Sequence, residues 1–196
     1  MENKILITCF EPFGGENFNA SMAVAEAMPK KIGALNTEKI ILPVEFGRSA
    51  ELAAERARAI SAEFIICFGE ARARKSVTPE LVAINLNHAA IPDNAGKAPK
   101  DEPIVPSGAA AYFTGFPARR LAERINCEGV AATLSYSAGA YVCNDIYYRL
   151  LCEFEGTGVR VIFIHVPRAD GEEAYKNMAF AISRALCDTI SEENNG

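Results

Sequence analysis

Short apolar runs rich in β-branched and aromatic residues alternate along the chain with longer stretches whose apolar residues recur at helical spacing. KILITCF (4–10) precedes a helical stretch over roughly 20–32, KIILPVEF (39–46) one over 48–61, and EFIICFG (63–69) and LVAINL (81–86) follow. Beyond a Pro- and Gly-rich segment (91–107) come a helix near 117–127, the run GVAATLSY (129–136), a helix from about 143, RVIFIHV (160–166) and a last helix over 172–191. Strand and helix in alternation predict an α/β fold: a three-layer sandwich with a mostly parallel or mixed twisted sheet and helices on both faces. IIC (65–67) and VIFI (161–164) are apolar without a break, as strands buried on both faces are, so they are expected at the centre of the sheet.

A chain of 196 residues, 49% hydrophobic, is expected to form a single domain over 1–196 that buries a core without disulfides or a structural metal. Its net charge of −5 and the absence of basic runs beyond Lys30-Lys31 and Arg119-Arg120 leave no electrostatic footprint for nucleic acid or an anionic membrane surface. MENKILITCF has too short an apolar stretch for a secretory leader, and no run reaches the ~18–20 residues of a membrane span, so a cytoplasmic protein is expected. The six cysteines show no paired metal-ligand spacing and are expected mostly as buried small hydrophobes.

In open α/β sheets ligands sit beyond the carboxyl ends of the strands. Of only two histidines, His165 ends the run VIFI at such a position, whereas His88 lies beside the Pro-rich segment and is expected at the surface. Cys143 follows the small-residue turn Ser137-Ala138-Gly139-Ala140 and precedes a helical pattern, which puts a thiol in a first helical turn. There the unpaired N–H groups favour thiolate and could receive an oxyanion. In Thr78-Pro79-Glu80 the carboxylate could orient an imidazole, yet the same three residues also begin a helix well. Phe10, Phe13, Gly14 and Gly15 form an aromatic loop suited to a small flat ligand, and the glycine pair lacks a phosphate-binding signature. The 93–107 segment is expected as a surface flap at the mouth of a site.

Four segments in order, FEPFGGENFNAS, TPELVAIN with IPDNAG, SYSAGAYVCN and FIHVP, make the chain resemble pyroglutamyl peptidase I, the pyrrolidone-carboxylate peptidase family of cysteine peptidases. The resemblance implies Cys143 as nucleophile, His165 as general base and Glu80 as the carboxylate that orients it. It also implies a substrate pocket around Phe10, Phe13, Glu70, Tyr141 and Val142. The implied reaction removes an N-terminal L-pyroglutamyl residue from peptides through a thioester, with no metal and no cofactor. A homotetramer or other homo-oligomer is implied as well. Two segments depart from the family pattern. Ala90 stands where an arginine credited with supporting the oxyanion is usual, and GEARAR (69–74) replaces GQAGGR, which places Glu70 at a glutamine position and Arg72 at a glycine. These departures keep open an impaired homologue that only binds a pyroglutamyl or other small ligand, and they raise Arg72 as a substitute cation. A nucleotide-binding protein and a peptidase with a shifted acyl substrate are the remaining alternatives.

Overall fold

The computed structural model describes residues 4–193. The elements in chain order are β1 (Lys4–Phe10), α1 (Ala20–Ala27), β2 (Lys31–Ile32), β3 (Leu35–Leu42), α2 (Arg48–Ala59), β4 (Ala62–Glu70), β5 (Thr78–Pro79), β6 (Val82–Ile84), β7 (Ala111–Phe113), α3 (Ala118–Cys127), α4 (Val142–Glu153), β8 (Arg160–Val166) and α5 (Glu172–Glu193). The main sheet has the order β2-β3-β1-β4-β8-β5. Its four inner strands are parallel, and the two short edge strands run antiparallel to their neighbours.

Alternate residues of each central strand enter different cores. Ile5, Ile7, Phe64, Ile66, Ile162 and Ile164 pack on the face covered by α1, α3 and α5. Leu6, Phe10, Ile65, Cys67, Val161 and Phe163 pack on the face covered by α2 and α4. Both faces are buried, which is why the strands read as unbroken apolar runs. The expected mixed sheet with helices on both faces is therefore present.

Several boundaries differ from the expected ones. The first helix stops at Ala27 because Pro29 follows Met28, which adopts an extended conformation (ψ 142°) as residues before proline do. The chain then turns through Gly33, whose φ of +59° suits glycine, so that β2 pairs with the start of β3. β3 begins four residues earlier than expected and ends before Pro43. β6 leaves the main sheet and pairs with β7. GVAATLSY forms no regular strand. It lies beside β5 through hydrogen bonds at Val77, Thr133, Ser135 and Leu81, while the Asn126 side chain engages both the N–H and the carbonyl of Ala132. Thr78-Pro79-Glu80 starts no helix, because pairing with β8 takes these residues into the sheet.

The 93–107 segment, expected as a flap, is tied down at its start. Asp93 is buried and accepts from the N–H groups of Phe46, Ala95 and Lys97, and Asn94 donates to Glu11 and to the Pro12 carbonyl. All six cysteines are free. Only Cys9 and Cys67 are fully buried and Cys127 is exposed, which corrects the expectation that most of them fill the core. Among the described residues no helix is long and apolar enough to cross a membrane, and no three His, Cys, Asp or Glu side chains are grouped to hold a metal ion.

Candidate active site

β4 and β8 run side by side, with Gly69 opposite His165 and Glu70 opposite Val166. Alternation along β8 puts Phe163 and His165 on the same face, the one that α4 covers. α4 begins at Val142 with Tyr141 as its N-cap residue, whose carbonyl accepts from the N–H groups of Asn144 and Asp145. Val142 and Cys143 occupy the first turn, where the amides have no carbonyl of their own helix to bond. Asn144 and Asp145 fix this turn: Asn144 exchanges hydrogen bonds with the backbone of Ile84 and Leu86, and Asp145 accepts from Gly47, Asn87 and Arg149.

Between these ends lies a cavity of about 160 Å³ lined by Phe10, Phe13, Asn19, Val44, Glu70, Ala138, Tyr141, Val142, Cys143 and His165. It is smaller than the usual few-hundred-Å³ ligand cleft and suits a small group. Larger hollows elsewhere, one of about 250 Å³ beside Tyr112 and Phe154 and one of about 450 Å³ beside Asn87 and Arg149, hold neither a cysteine nor a histidine. Seven of the eight site residues expected from sequence border the small cavity. The eighth, Glu80, stands behind His165: its Oε1 accepts from His165 Nδ1 at 2.7 Å, and both residues are buried. A carboxylate oxygen only accepts, so Nδ1 carries the ring proton and Nε2 is the acceptor. β5 creates this contact, since its antiparallel pairing sets Thr78 opposite His165, and the Glu80 N–H donates to the Phe163 carbonyl. The orienting-carboxylate geometry is thus the one found, and the helix-start alternative is not.

Burial pushes the Cys143 thiol up to about 12, with the Glu80 charge adding to the shift and Arg74 opposing it. Burial also lowers His165, against the pull of Glu80. Burial thus disfavours both charged forms, the imidazolium of His165 and the thiolate that the helix N-terminus favours. Desolvation outweighs the first-turn amides.

Sequence reasoning missed Asn19, Val44, Ala138 and Arg74. Asn19 caps α1, its Oδ1 accepting from the Ser21 N–H, and the pattern Asn-Ala-Ser ahead of an apolar helix was a readable signal for it. The two departures also take definite places. Glu70 borders the cavity, but its carboxylate accepts from the Ala20 N–H at 2.7 Å and from Arg72 Nε at 2.6 Å, at the N-terminus of α1. Arg72 does not line the cavity: it bonds Glu16 and Glu70 and lies 5.5 Å over the Phe13 ring, behind the cavity wall. Ala90 is exposed outside the cavity, and His88 is exposed and bonds Asp101.

A family model described as pyroglutamyl peptidase matches residues 3–185. The pyrrolidone-carboxylate peptidase of Enterococcus faecalis is 42% identical over 166 residues, covering 84% of this chain and 78% of that one. That of Bacillus amyloliquefaciens is 43% identical over 173 residues, covering 85% and 79%. The crystal structure of the B. amyloliquefaciens pyroglutamyl peptidase I superposes with a TM-score of 0.89 at 37% identity over 97% of this chain and 96% of that one. Pyrrolidone carboxyl peptidase from Pyrococcus furiosus gives 0.89 at 33% identity over 96% and 99%. With this agreement of sequence and fold around a cysteine, a histidine and a carboxylate, the chain belongs to the pyroglutamyl peptidase family, cysteine peptidases that remove N-terminal pyroglutamate.

Proposed function

We propose that this chain hydrolyses the bond after an N-terminal L-pyroglutamyl residue, with Cys143 as nucleophile, His165 as general base and acid, and Glu80 orienting His165. The observation that carries this reading is the meeting of Cys143 and His165 in one small aromatic cavity with Glu80 bonded to the far side of the imidazole. His165 Nε2 takes the Cys143 proton as sulfur attacks the pyroglutamyl carbonyl carbon, an order favoured by burial, which raises the thiol and lowers the imidazole. The carbonyl oxygen becomes an oxyanion facing the first-turn N–H groups of α4. Collapse breaks the C–N bond, the leaving amine takes the proton from His165, and a thioester remains. His165 then removes a proton from water, whose oxygen attacks the thioester, and Cys143 recovers its proton as it leaves.

Phe10, Phe13 and Tyr141 offer faces to the flat lactam. Val142 contributes backbone, and Glu70 shapes the wall through its bonds to α1. Glu70, the one carboxylate on the cavity wall among the described residues, is committed to Ala20 and Arg72, so an ordinary N-terminal ammonium would lose its hydration here without a free partner, which favours the neutral lactam. The chain is further proposed to act as one domain, in the cytoplasm and as a homo-oligomer, a state that light scattering would measure. The six terminal residues within the expected 1–196 domain lie outside the described range.

The deciding experiment is release of a fluorescent amine from an L-pyroglutamyl amide under reducing conditions. Cys143→Ala is expected to abolish turnover while keeping the fold, and a fully active Cys143→Ala chain would refute the assignment.

A further inference from the structure

Arg74 lies outside the cavity and belongs to none of the residues assigned above, yet its guanidinium meets three parts of the site. Nη1 bonds Glu80 Oε1 at 2.5 Å and also the Thr78 hydroxyl, and Nη2 donates to the Ser137 carbonyl at 2.9 Å. Thr78 is the residue paired opposite His165, and Ser137 begins the turn that leads into Cys143. Arg74 itself is set by a turn straight after β4, its N–H bonded to the Ala71 carbonyl.

We infer that Arg74 is a positioning residue: its three-way contact fixes the Glu80 carboxylate against His165 and ties that carboxylate to the turn carrying the nucleophile. The inference rests on the proposed roles of Cys143, His165 and Glu80. The key geometric fact is that Arg74 and His165 donate to the same oxygen, Glu80 Oε1, at 2.5 and 2.7 Å. A buried carboxylate needs a balancing charge. With Arg74 in place the guanidinium supplies it, and the imidazole is left neutral and able to accept a proton. Without Arg74 the nearest group able to balance Glu80 is His165, which would do so by protonating. The other groups facing this imidazole do not compete for that role: burial holds Cys143 toward its thiol form, Tyr147, on α4, donates its hydroxyl to the Glu80 backbone carbonyl, and Glu70, on the same cavity, is bonded to Ala20 and Arg72. The electrostatic direction agrees, since Arg74 opposes protonation of His165 and favours ionisation of Cys143. A planar fork with several fixed donors can hold carboxylate, hydroxyl and carbonyl at once, and a lysine ammonium cannot reproduce that geometry.

The test compares the native chain with Arg74→Gln and Arg74→Lys. The expected result for Arg74→Gln is a kcat lower by about 10- to 100-fold, KM within about threefold, and an acid limb of kcat/KM moved to higher pH. Arg74→Lys, which keeps the charge and loses the fork, is expected to restore the position of the acid limb more fully than kcat. A second readout needs no turnover. The chain has only two histidines, so NMR titration of their ring Cε1–H signals resolves His165 from exposed His88. The His165 titration is expected to move to higher pH in Arg74→Gln, with His88 unmoved as the internal control. Should Arg74→Gln fail to fold, Arg74→Lys carries both readouts. A folded variant that titrates His165 as the native chain does, with native kcat, overturns the inference. A native chain without pyroglutamyl turnover would defeat the peptidase assignment instead, and the NMR arm would still decide whether Arg74 sets the state of His165.

Discussion

A β-carbon at Gly69 would stand 2.7 Å from Phe163 Cζ, closer than real β-carbons approach a neighbour, and 3.0 Å from Cys143 Sγ, tighter than nearly all real contacts. The absent side chain therefore makes room for the sulfur against the end of β4. Gly69→Ala is expected to destabilise the fold by about 1–3 kcal/mol and to lower kcat on the order of 100-fold, because the thiol must shift by a sizeable fraction of an ångström. Urea unfolding and steady-state kinetics would measure the two effects, and native kinetics in a folded Gly69→Ala chain would show that the sulfur has slack. At this scale the places of Cys143 and His165 at helix and strand ends marked them as candidates, and the family resemblance gave them their roles. Glu80 could be read in two ways until pairing with β8 fixed its partner, 85 positions along the chain. Arg74 was not legible, because three partners define it that lie 4, 6 and 63 positions further along the chain.

The loops after β1, β4 and β8 meet in a cluster of charges. Arg72 bonds Glu16 at 2.8 Å and Glu70 at 2.6 Å, and Arg168 reaches Glu16 at 3.2 Å and Glu70 at 3.7 Å. The two guanidiniums lie over Phe13 and Phe18, so the cluster steadies the aromatic loop that walls the cavity. Glu70 also places a negative charge at the N-terminus of α1, where the amides favour it. Glu70→Gln keeps an acceptor for Ala20 but loses the charge shared with the two half-exposed arginines. A stability loss of about 1 kcal/mol and a twofold to threefold rise in KM are expected, with kcat held. If kcat/KM rose tenfold instead, Glu70 would be acting as an unfavourable charge on the substrate. The elements themselves were largely legible wherever apolar runs were buried on both faces. The errors fell where one residue cut a pattern short, as Pro29 and Pro43 did, or where neighbouring chain replaced regular pairing, as beside Asn126.

For the whole molecule, the buried neutral groups set a window of stability in pH. His165 is held below its ordinary value of 6.5 by burial. As pH falls through 6.5 the unfolded chain therefore binds a proton that the native one does not, and stability falls. The thiols of Cys9, Cys67 and Cys143 are each pushed up to about 12 from 9.0, chiefly by burial. Above pH 9 the unfolded chain releases protons that the native one retains, so stability falls again, by up to roughly 1 kcal/mol per pH unit for each thiol. Maximum stability is expected between these limits, and urea midpoints taken from pH 5 to 10.5 would map it. The variants separate the contributions. His165→Gln should flatten the acid side, and Cys143→Ala should reduce the alkaline slope by one thiol's share while leaving the acid side in place. An alkaline slope unchanged in Cys143→Ala would mean that this thiol ionises in the native chain as readily as in the unfolded one. Burial would then place no barrier on forming the thiolate, and His165 would have less driving force to supply as it takes the proton from sulfur.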